Sequence, residues 1–403
     1  MSENWNKVKL GELIEYKKGF AFKSNLYRKN GCLIVRVSNF THNSIDLSEC
    51  LFLDESEKEK FNDVQINQDD IVIATVGSWQ NNPASIVGKV IKVPRKADGA
   101  LLNQNAVRMR ANASLIQSFL YYTLKDKNFS DYLLSGAQGS ANQASITLKL
   151  IFDYDVNLPP IEEQRRIAEI LSALDEKIEL NLQMNRTLEK IAQTTFKYWF
   201  VDFQFPGFDG KLVNGLPKGW RLGKLGEIVS FVKGKKPNDI SENFKENYLP
   251  QILIDTFNTG KSVYANSEKM VISTSKDLIM VMDGASSGRI ETGFGGIVGS
   301  TLAKIHIKQS FYYPMFVFNF LKTKESDIMG NTTGSSIPHA DKSKILNYSL
   351  VFPPLKVTQE FERIAKSLNE KIVLNKKENQ ILSQIRDGLL PKLMSGKIRV
   401  PEV

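Results

Sequence analysis

Cysteine and histidine are scarce: the 403 residues hold Cys32 and Cys50, and His42, His306 and His339. The two thiols lie 18 positions apart with no CxxC pair, and the histidines are scattered, so neither a zinc module nor a catalytic triad is expected. Unpaired thiols suit a reducing compartment, and a cytoplasmic location is expected. No run of 18 apolar residues occurs and no charged-then-apolar leader opens the chain, so neither a membrane span nor a signal peptide is expected. The GxxxxGK[ST] phosphate loop is missing, which argues against NTP hydrolysis of the usual kind. A (D/N)PP(Y/F) motif is missing too: the proline pairs in NLPPIEE and FPPLKV lack the aromatic that would hold a flipped base. The Gly293-Phe294-Gly295-Gly296 cluster does not follow the strand-to-helix plan of a dinucleotide fingerprint. Asp202 with Asp209-Gly210-Lys211 has the look of a nuclease carboxylate–lysine set. It falls in a Gly/Pro-rich linker, however, and no aspartate accompanies the Gly-Lys pair of MSGKIRV near the end of the chain.

The balance of 42% hydrophobic and 24% charged residues is that of a soluble protein, with room for two or three domains. A net charge of +9 and a pI near 9.2 favour a polyanionic partner.

Much of the chain is written twice. WNKVKLGELIEYKKGFAF from Trp5 matches WRLGKLGEIVSFVKGKKP from Trp220, pairing Trp5 with Trp220, Leu10 with Leu225, Gly11 with Gly226, Glu12 with Glu227 and Gly19 with Gly234, all 215 apart. DDIVIATVG (Asp69 to Gly77) matches KDLIMVMDG (Lys276 to Gly284) at an offset of 207. AQGSANQASITLKLIFDYDVNLPP matches TTGSSIPHADKSKILNYSLVFPP, ending in Pro159-Pro160 and Pro353-Pro354 at an offset of 194. The drifting offset records insertions and deletions within a two-copy repeat whose unit is too long for a solenoid.

After each proline pair comes a long helical pattern. In the first, Ile167, Leu171, Leu174, Ile178, Leu188, Ala192 and Thr195 recur at the three-and-four spacing of a coiled-coil seam. A helix over about 161–197 would be roughly 55 Å long, far beyond an ordinary globular helix, and needs a partner. The second pattern supplies one at a gapless offset of 194: Ile167 matches Phe361, Ile170 matches Ile364, Leu174 matches Leu368, Ile178 matches Ile372 and Leu188 matches Leu382. Two seam asparagines recur as well, Asn181 as Asn375 and Asn185 as Asn379. A polar seam residue costs stability and specifies register, so the two helices are expected to pair antiparallel, with Asn181 facing Asn379 and Asn185 facing Asn375.

Before each helix lies a more divergent, β-rich unit. Candidate strands are Leu33–Val37, Ile71–Val76, Ile86–Val93 and Ala106–Arg110 in the first, and Gln251–Ile254, Leu278–Met282 and Leu302–Ile307 in the second. Late helices are expected at Leu115–Lys125 and Met315–Lys322. The organisation read from these patterns is an α+β chain with a pseudo-twofold internal repeat: units at 1–155 and 207–350, helical segments at 156–206 and 351–403. Polar, Gly-rich loops fall at the predicted strand ends. They offer Arg36, Ser38 and Asn39; Ser78, Trp79, Gln80, Asn81 and Asn82; and Ser140, Asn142 and Gln143 in the first unit. The second offers Lys233, Lys235 and Lys236; Asp255 and Asn258; Ser286, Ser287 and Arg289; and Ser335, Ser336 and His339. Such side chains hydrogen-bond phosphates and base edges, Arg and Lys suiting guanine and Asn and Gln suiting adenine.

This alternation of two divergent units with two repeated, proline-led helices resembles the specificity subunit of a type I restriction-modification enzyme. The resemblance spans nearly the whole chain and includes YWFVDFQFP after the first helix and LLPKLMSGKIRV at the end of the second. One departure stands out: Gln164 follows its proline pair as PPxxxQ, whereas Gln359 follows as PPxxxxQ, so no role is carried to Gln359. The resemblance implies two target recognition domains, each reading half of a split site in double-stranded DNA. It implies that the paired helices act as spacer and as platform for two methyltransferase subunits. Those subunits would carry S-adenosylmethionine; the chain itself would hold no cofactor, no metal and no catalytic residue. Restriction (translocase-nuclease) subunits join such a core where restriction accompanies modification. Two other readings stay open from the residues alone: a freestanding DNA-modifying enzyme with two fused recognition domains, and a coiled-coil adaptor that binds only protein.

Overall fold

A computed structural model describes residues 5–41, 43–79, 87–140, 143–260, 262–308, 313–334 and 337–400. The chain forms two compact units, Met1–Glu176 with Leu382–Val403, and Lys177–Ile381. Each contains α-helix and β-sheet, so the fold class is α+β.

In the first unit, a four-stranded antiparallel sheet runs in the order Ile14–Lys18, Ala106–Ala111, Ile71–Ala74, Val90–Lys92. A second sheet runs Leu51–Leu53, Cys32–Val35, Ala100–Leu102, Gln65–Ile66, with its central pair parallel. Asn6–Lys9 pairs with Asp155–Leu158, tying the start of the unit to the strand that feeds the first long helix. In the second unit the first of these sheets returns strand for strand as Val229–Lys233, Leu302–Ile307, Leu278–Val281, Ile290–Thr292. The parallel pair returns as Tyr248–Ile252 with Gly296–Val298, and the tie as Arg221–Lys224 with Ser349–Phe352. The repeat read from sequence is thus a repeat of topology.

Two glycines explain why part of that repeat is spelled identically. Gly19 donates its N–H to the Ala106 carbonyl at 3.0 Å, and Gly234 donates to Leu302 at 2.9 Å. A Cβ on Gly19 would collide with the Asn103 carbonyl, and one on Gly234 with the Gly299 carbonyl. Only glycine lets the backbones approach this closely.

The long helices are Ile161–Phe200 and Leu355–Met394, 40 residues each. Each opens after its proline pair, where the missing N–H costs nothing. The first runs three residues past the expected end because Trp199 and Phe200, 6% and 2% exposed, are packed into the second unit's core. Within the first unit, Ile167, Ala168 and Leu171 share a core with Leu393 and Met394. Asp175 accepts from Arg386 at 2.7 Å there, and Glu163 accepts from Arg399 at 2.7 Å. Within the second unit the same two helices meet again: Phe196 packs on Phe361 with ring centroids 5.6 Å apart. Asn181 Nδ2 donates to Asn379 Oδ1 at 2.9 Å and Asn375 Nδ2 to Asn185 Oδ1 at 2.8 Å. In both units residue numbers rise along one helix as they fall along the other, so the helices are antiparallel. Asn181 Oδ1 and Asn375 Oδ1 are buried without a partner among the described residues. An orphaned buried acceptor costs about 1–3 kcal/mol.

Several short elements differ from the sequence reading. The strand expected at Ile86–Val93 is confined to Val90–Lys92, since Gly88 at φ +78° turns the chain just before it; Ile86 lies outside the described residues. The strand expected to reach Ile254 stops at Ile252. Thr256 Oγ1 accepts the Leu253 N–H at 3.1 Å, which starts a helix over Ile254–Thr259 instead. The late helices occupy Gln117–Lys125 and Pro314–Gly330.

Candidate nucleic-acid interface

In the first unit the sheet pairings carry two of the polar loops to one place. Val76–Gly77 pairs with Gln143–Ser145, which pairs in turn with Gln138–Ser140. Gln143 is exposed on that ribbon; Ser78 and Trp79 are half-buried, and the Ser78 carbonyl accepts from Val87 at 3.0 Å. Gln80, Asn81, Asn82 and Asn142 lie outside the described residues, as does the Ser140 side chain. Two lysines hold the Arg36 loop, one beside this ribbon and one at the end of the late helix. Lys89, at the base of the second loop, donates to the Phe40 carbonyl at 3.1 Å, and Lys125 donates to Asn43 Oδ1 at 3.0 Å.

Inside the Arg36 loop the polar groups divide into braces and free ends. Asn39 is 5% exposed; its Oδ1 accepts the Arg36 N–H at 2.9 Å and its Nδ2 reaches the Glu49 carbonyl at 3.4 Å. Arg36 Nη2 reaches the same carbonyl at 3.4 Å, while its buried Nε has no partner among the described residues. Ser38 is exposed.

In the second unit all four loops are bonded into one cluster. Asp283 is its hub, accepting Lys233 Nζ at 3.3 Å on Oδ2 and meeting His339 Nδ1 at 2.8 Å through Oδ1. Burial alone would raise the Asp283 carboxyl, but His339 and Lys233 outweigh it and hold it below the usual carboxylate range. Ser287, 1% exposed, donates to the Gly284 and Pro338 carbonyls at 2.6 and 2.8 Å, locking two loops together. Arg289 reaches Asn258 Oδ1 at 2.7 Å and Glu291 Oε1 at 2.8 and 2.9 Å, with its guanidinium 5.5 Å over the Phe257 ring. Glu291 is 8% exposed and also meets Lys376 of the second long helix at 3.3 Å. Burial works against its charge, and Lys376, Lys322 and Arg289 together keep it ionised below the usual range. Lys235 donates to the Lys269 carbonyl at 3.1 Å; Lys236, Asp255 and Asn258 are exposed and Ser286 is half-buried. Ser335 and Ser336 lie outside the described residues.

Residues outside the set read from the sequence therefore organise these loops: Lys89 and Lys125 in one unit, Asp283, Glu291 and Lys376 in the other. Lys89 stands where Arg289 does only by strand pairing, Val72 with Ile91 in one unit and Ile279 with Glu291 in the other, an offset of 200 that none of the matched sequence segments shows. Glu291 bonds Arg289 only two residues away, but its tie to Lys376, 85 residues on, left no local sign. The assembled surfaces present ammonium, guanidinium, amide, hydroxyl and imidazole groups, a chemistry of hydrogen bonding to phosphates and base edges. Among the described residues no group of three or more His, Cys, Asp or Glu could hold a metal ion.

The chain is similar to the type I restriction enzyme MjaIX specificity subunit of Methanocaldococcus jannaschii, 29% identical over 320 residues that cover 75% of this chain and 73% of that protein. It is also similar to the type I restriction enzyme HindI specificity subunit of Haemophilus influenzae, 24% identical over 388 residues, 77% of this chain and 84% of that one. The crystal structure of the type I restriction-modification S subunit from M. genitalium matches in fold, with a TM-score of 0.62 and 18% identity across 100% of this chain and 98% of that one. The family described as the type I restriction modification DNA specificity domain matches residues 2–190 and 217–384. By that coverage of both copies of the repeat, the chain belongs to the type I restriction-modification DNA specificity family.

Proposed function

We propose that this chain reads a bipartite site in double-stranded DNA, one half with each unit, and recruits two methyltransferase subunits to it through the long helices. The observation that carries the reading is that polar loops are held together within each unit, by strand pairing and Lys89 in the first and by a hydrogen-bonded cluster in the second. In the second unit, hydrogen bonds join Lys233, Asn258, Ser287, Arg289 and His339 to one another's loops. A net charge of +9 supports a nucleic-acid partner. In this reading the chain is non-catalytic and cytoplasmic, S-adenosylmethionine is bound by the methyltransferase partners, and restriction subunits join where cleavage accompanies modification. No helix among the described residues is long and apolar enough to cross a membrane. The length of the helix pair would set the spacing of the two half-sites, as dimer geometry does in simpler DNA readers. The four seam asparagines, Asn181, Asn185, Asn375 and Asn379, would hold its register.

The test is to assemble the chain with its methyltransferase subunits, replace residues 207–350 by the corresponding unit of another family member, and map methylation across a genome. One half-site should change while the other, and the spacing, stay. Methylation without a split sequence, or a swap that leaves both halves as they were, overturns the proposal.

A further inference from the structure

The two units place cations at equivalent points and treat them differently. A glycine at positive φ precedes each of the first pair: Gly88 before Lys89 and Gly288 before Arg289, at φ +78° and +100°. The backbone around them matches bond for bond. Gly88 donates to Ala74 and Gly288 to Val281, both at 2.8 Å, and the return bonds from Ala74 to Lys89 and from Val281 to Arg289 are 3.0 and 2.9 Å. The second pair follows a buried leucine on the late helix, Leu124-Lys125 in one unit and Leu321-Lys322 in the other.

In the second unit both cations are neutralised internally. Arg289 is paired with Glu291 at 2.8 Å, and Lys322 with Glu325 at 2.8 and 3.0 Å. In the first unit the carboxylates are gone. Ile91, fully buried, stands at the strand position of Glu291, and Asn128 stands three residues after Lys125, as Glu325 does after Lys322. Lys89 and Lys125 are left hydrogen-bonded to neutral oxygens, Phe40 O and Asn43 Oδ1, with no carboxylate ion pair among the described residues. Burial pushes both ammonium groups below the ordinary lysine range. At Lys125, repulsion from Arg386 and Lys89 adds to that, and the Asp175 and Asp387 carboxylates offset it in part. Both of those carboxylates are already bonded to Arg386, at 2.7 and 2.8 Å. A half-buried ammonium without a counter-ion is costly, and an arriving anion would remove the cost. Lys89, at the base of the Ser78 loop, and Lys125, at the end of the late helix, both hold the Arg36 loop, at Phe40 and Asn43.

We propose that Lys89 and Lys125 form a phosphate-binding pair that grips the backbone of duplex DNA, an electrostatic anchor that the first unit keeps open and the second has closed with its own carboxylates. The inference rests on the DNA-reading role proposed above. Phosphate contacts position a protein without reading sequence, so the pair would add grip and not specificity.

The test uses the full chain assembled with its methyltransferase subunits, a 40-base-pair duplex carrying the mapped site and an unrelated duplex of equal length. Lys89→Met and Lys125→Met, which keep most of the packing stem, should each weaken binding roughly tenfold on both duplexes. Each should also flatten the slope of log affinity against log salt by about 0.9. Lys322→Met should leave that slope unchanged and lower thermal stability instead. Lys89→Arg and Lys125→Arg should restore the slope even where the Met variants melt early. Met variants that bind with the parental slope, or natively melting Arg variants that have lost it, overturn the lysine pair. A parent complex that binds neither duplex overturns the DNA-reading role itself.

Discussion

In the first unit the long helix pins the late helix with Gln164: its Oε1 accepts the Ile116 N–H at 2.9 Å, and its Nε2 donates to the Pro159 and Ser114 carbonyls at 2.9 and 3.2 Å. In the second unit the same end of the equivalent helix is held by Glu362, which accepts the Met315 N–H at 2.9 Å. The residue at Gln164's repeat position is Thr358, 1% exposed and turned back to the Leu355 carbonyl at 2.9 Å. Gln359 is exposed. One mechanical task is thus done by a neutral amide in one unit and by a titratable carboxyl one turn later in the other. Burial raises the Glu362 carboxyl to about 7, against the pull of the Met315 and Phe316 N–H groups. The comparison teaches that duplication preserved which helix end must be held, not the group that holds it.

The largest effect should come from what the units share. Gly19→Ala and Gly234→Ala each push a Cβ into a backbone carbonyl that cannot step aside. Each should destabilise its own unit by about 4 kcal/mol, near the top of the range for single substitutions. Hydrogen exchange on the full chain would locate the damage. Protection lost in both units from one substitution, or a change below about 1 kcal/mol, would break the equivalence of the two sheets.

A smaller effect should separate the units by pH. The native Glu362 carboxyl titrates above its unfolded value, so between about pH 4.5 and 7 the folded state binds more protons than the unfolded one. The stability this group contributes is complete below about pH 4.5 and lost as pH rises through about 7. Glu362→Gln should remove the slope and raise the second unit's stability at pH 8 by up to about 3 kcal/mol. Gln164→Glu should give the first unit a slope of the same sign, and a further loss because the Pro159 and Ser114 carbonyls then face a carboxylate. Urea unfolding of the full chain at pH 5 and pH 8 would measure both. A flat profile in the parent protein would show that Glu362 stays ionised.

The features legible in the sequence were those with long period or strict spacing. The helix pair, the duplicated plan and strands such as Leu302–Ile307 each rest on many residues agreeing. Packing decided the rest. The helix over Lys127–Gly136 starts at Asp126, whose carboxylate caps Asn128 N–H at 2.8 Å, a local signal hidden behind the preceding helix. In the candidate interface, Ser287 reads as an exposed loop serine yet is buried, because its hydroxyl bonds a carbonyl 51 residues away. Loop composition marks where polar groups gather; only long-range pairing decides which of them are spent holding the loop.

The smallest effect concerns a residue that looks identical in both copies. Trp5 Nε1 donates to Glu163 at 3.1 Å, and Glu163 is itself held by Arg399 at 2.7 Å through both oxygens. Trp220 instead lies 8% exposed among Phe200, Phe203 and Phe205, stacked on the last at 5.0 Å. One indole is a polar latch on the long helix and the other fills a core. Trp5→Phe should cost roughly 1.5 kcal/mol through the lost bond to a charged acceptor. Trp220→Phe should cost roughly 1 kcal/mol through the space left behind. Acid should tell them apart. Arg399 first, and Trp5 after it, hold the Glu163 carboxyl below its ordinary range, so its contribution is present at neutral pH and lost as pH falls through that lowered value. The Trp5→Phe penalty should therefore shrink between pH 7 and pH 3, while the Trp220→Phe penalty holds constant. Equal pH profiles for the two substitutions would mean that Trp5, too, acts only by packing.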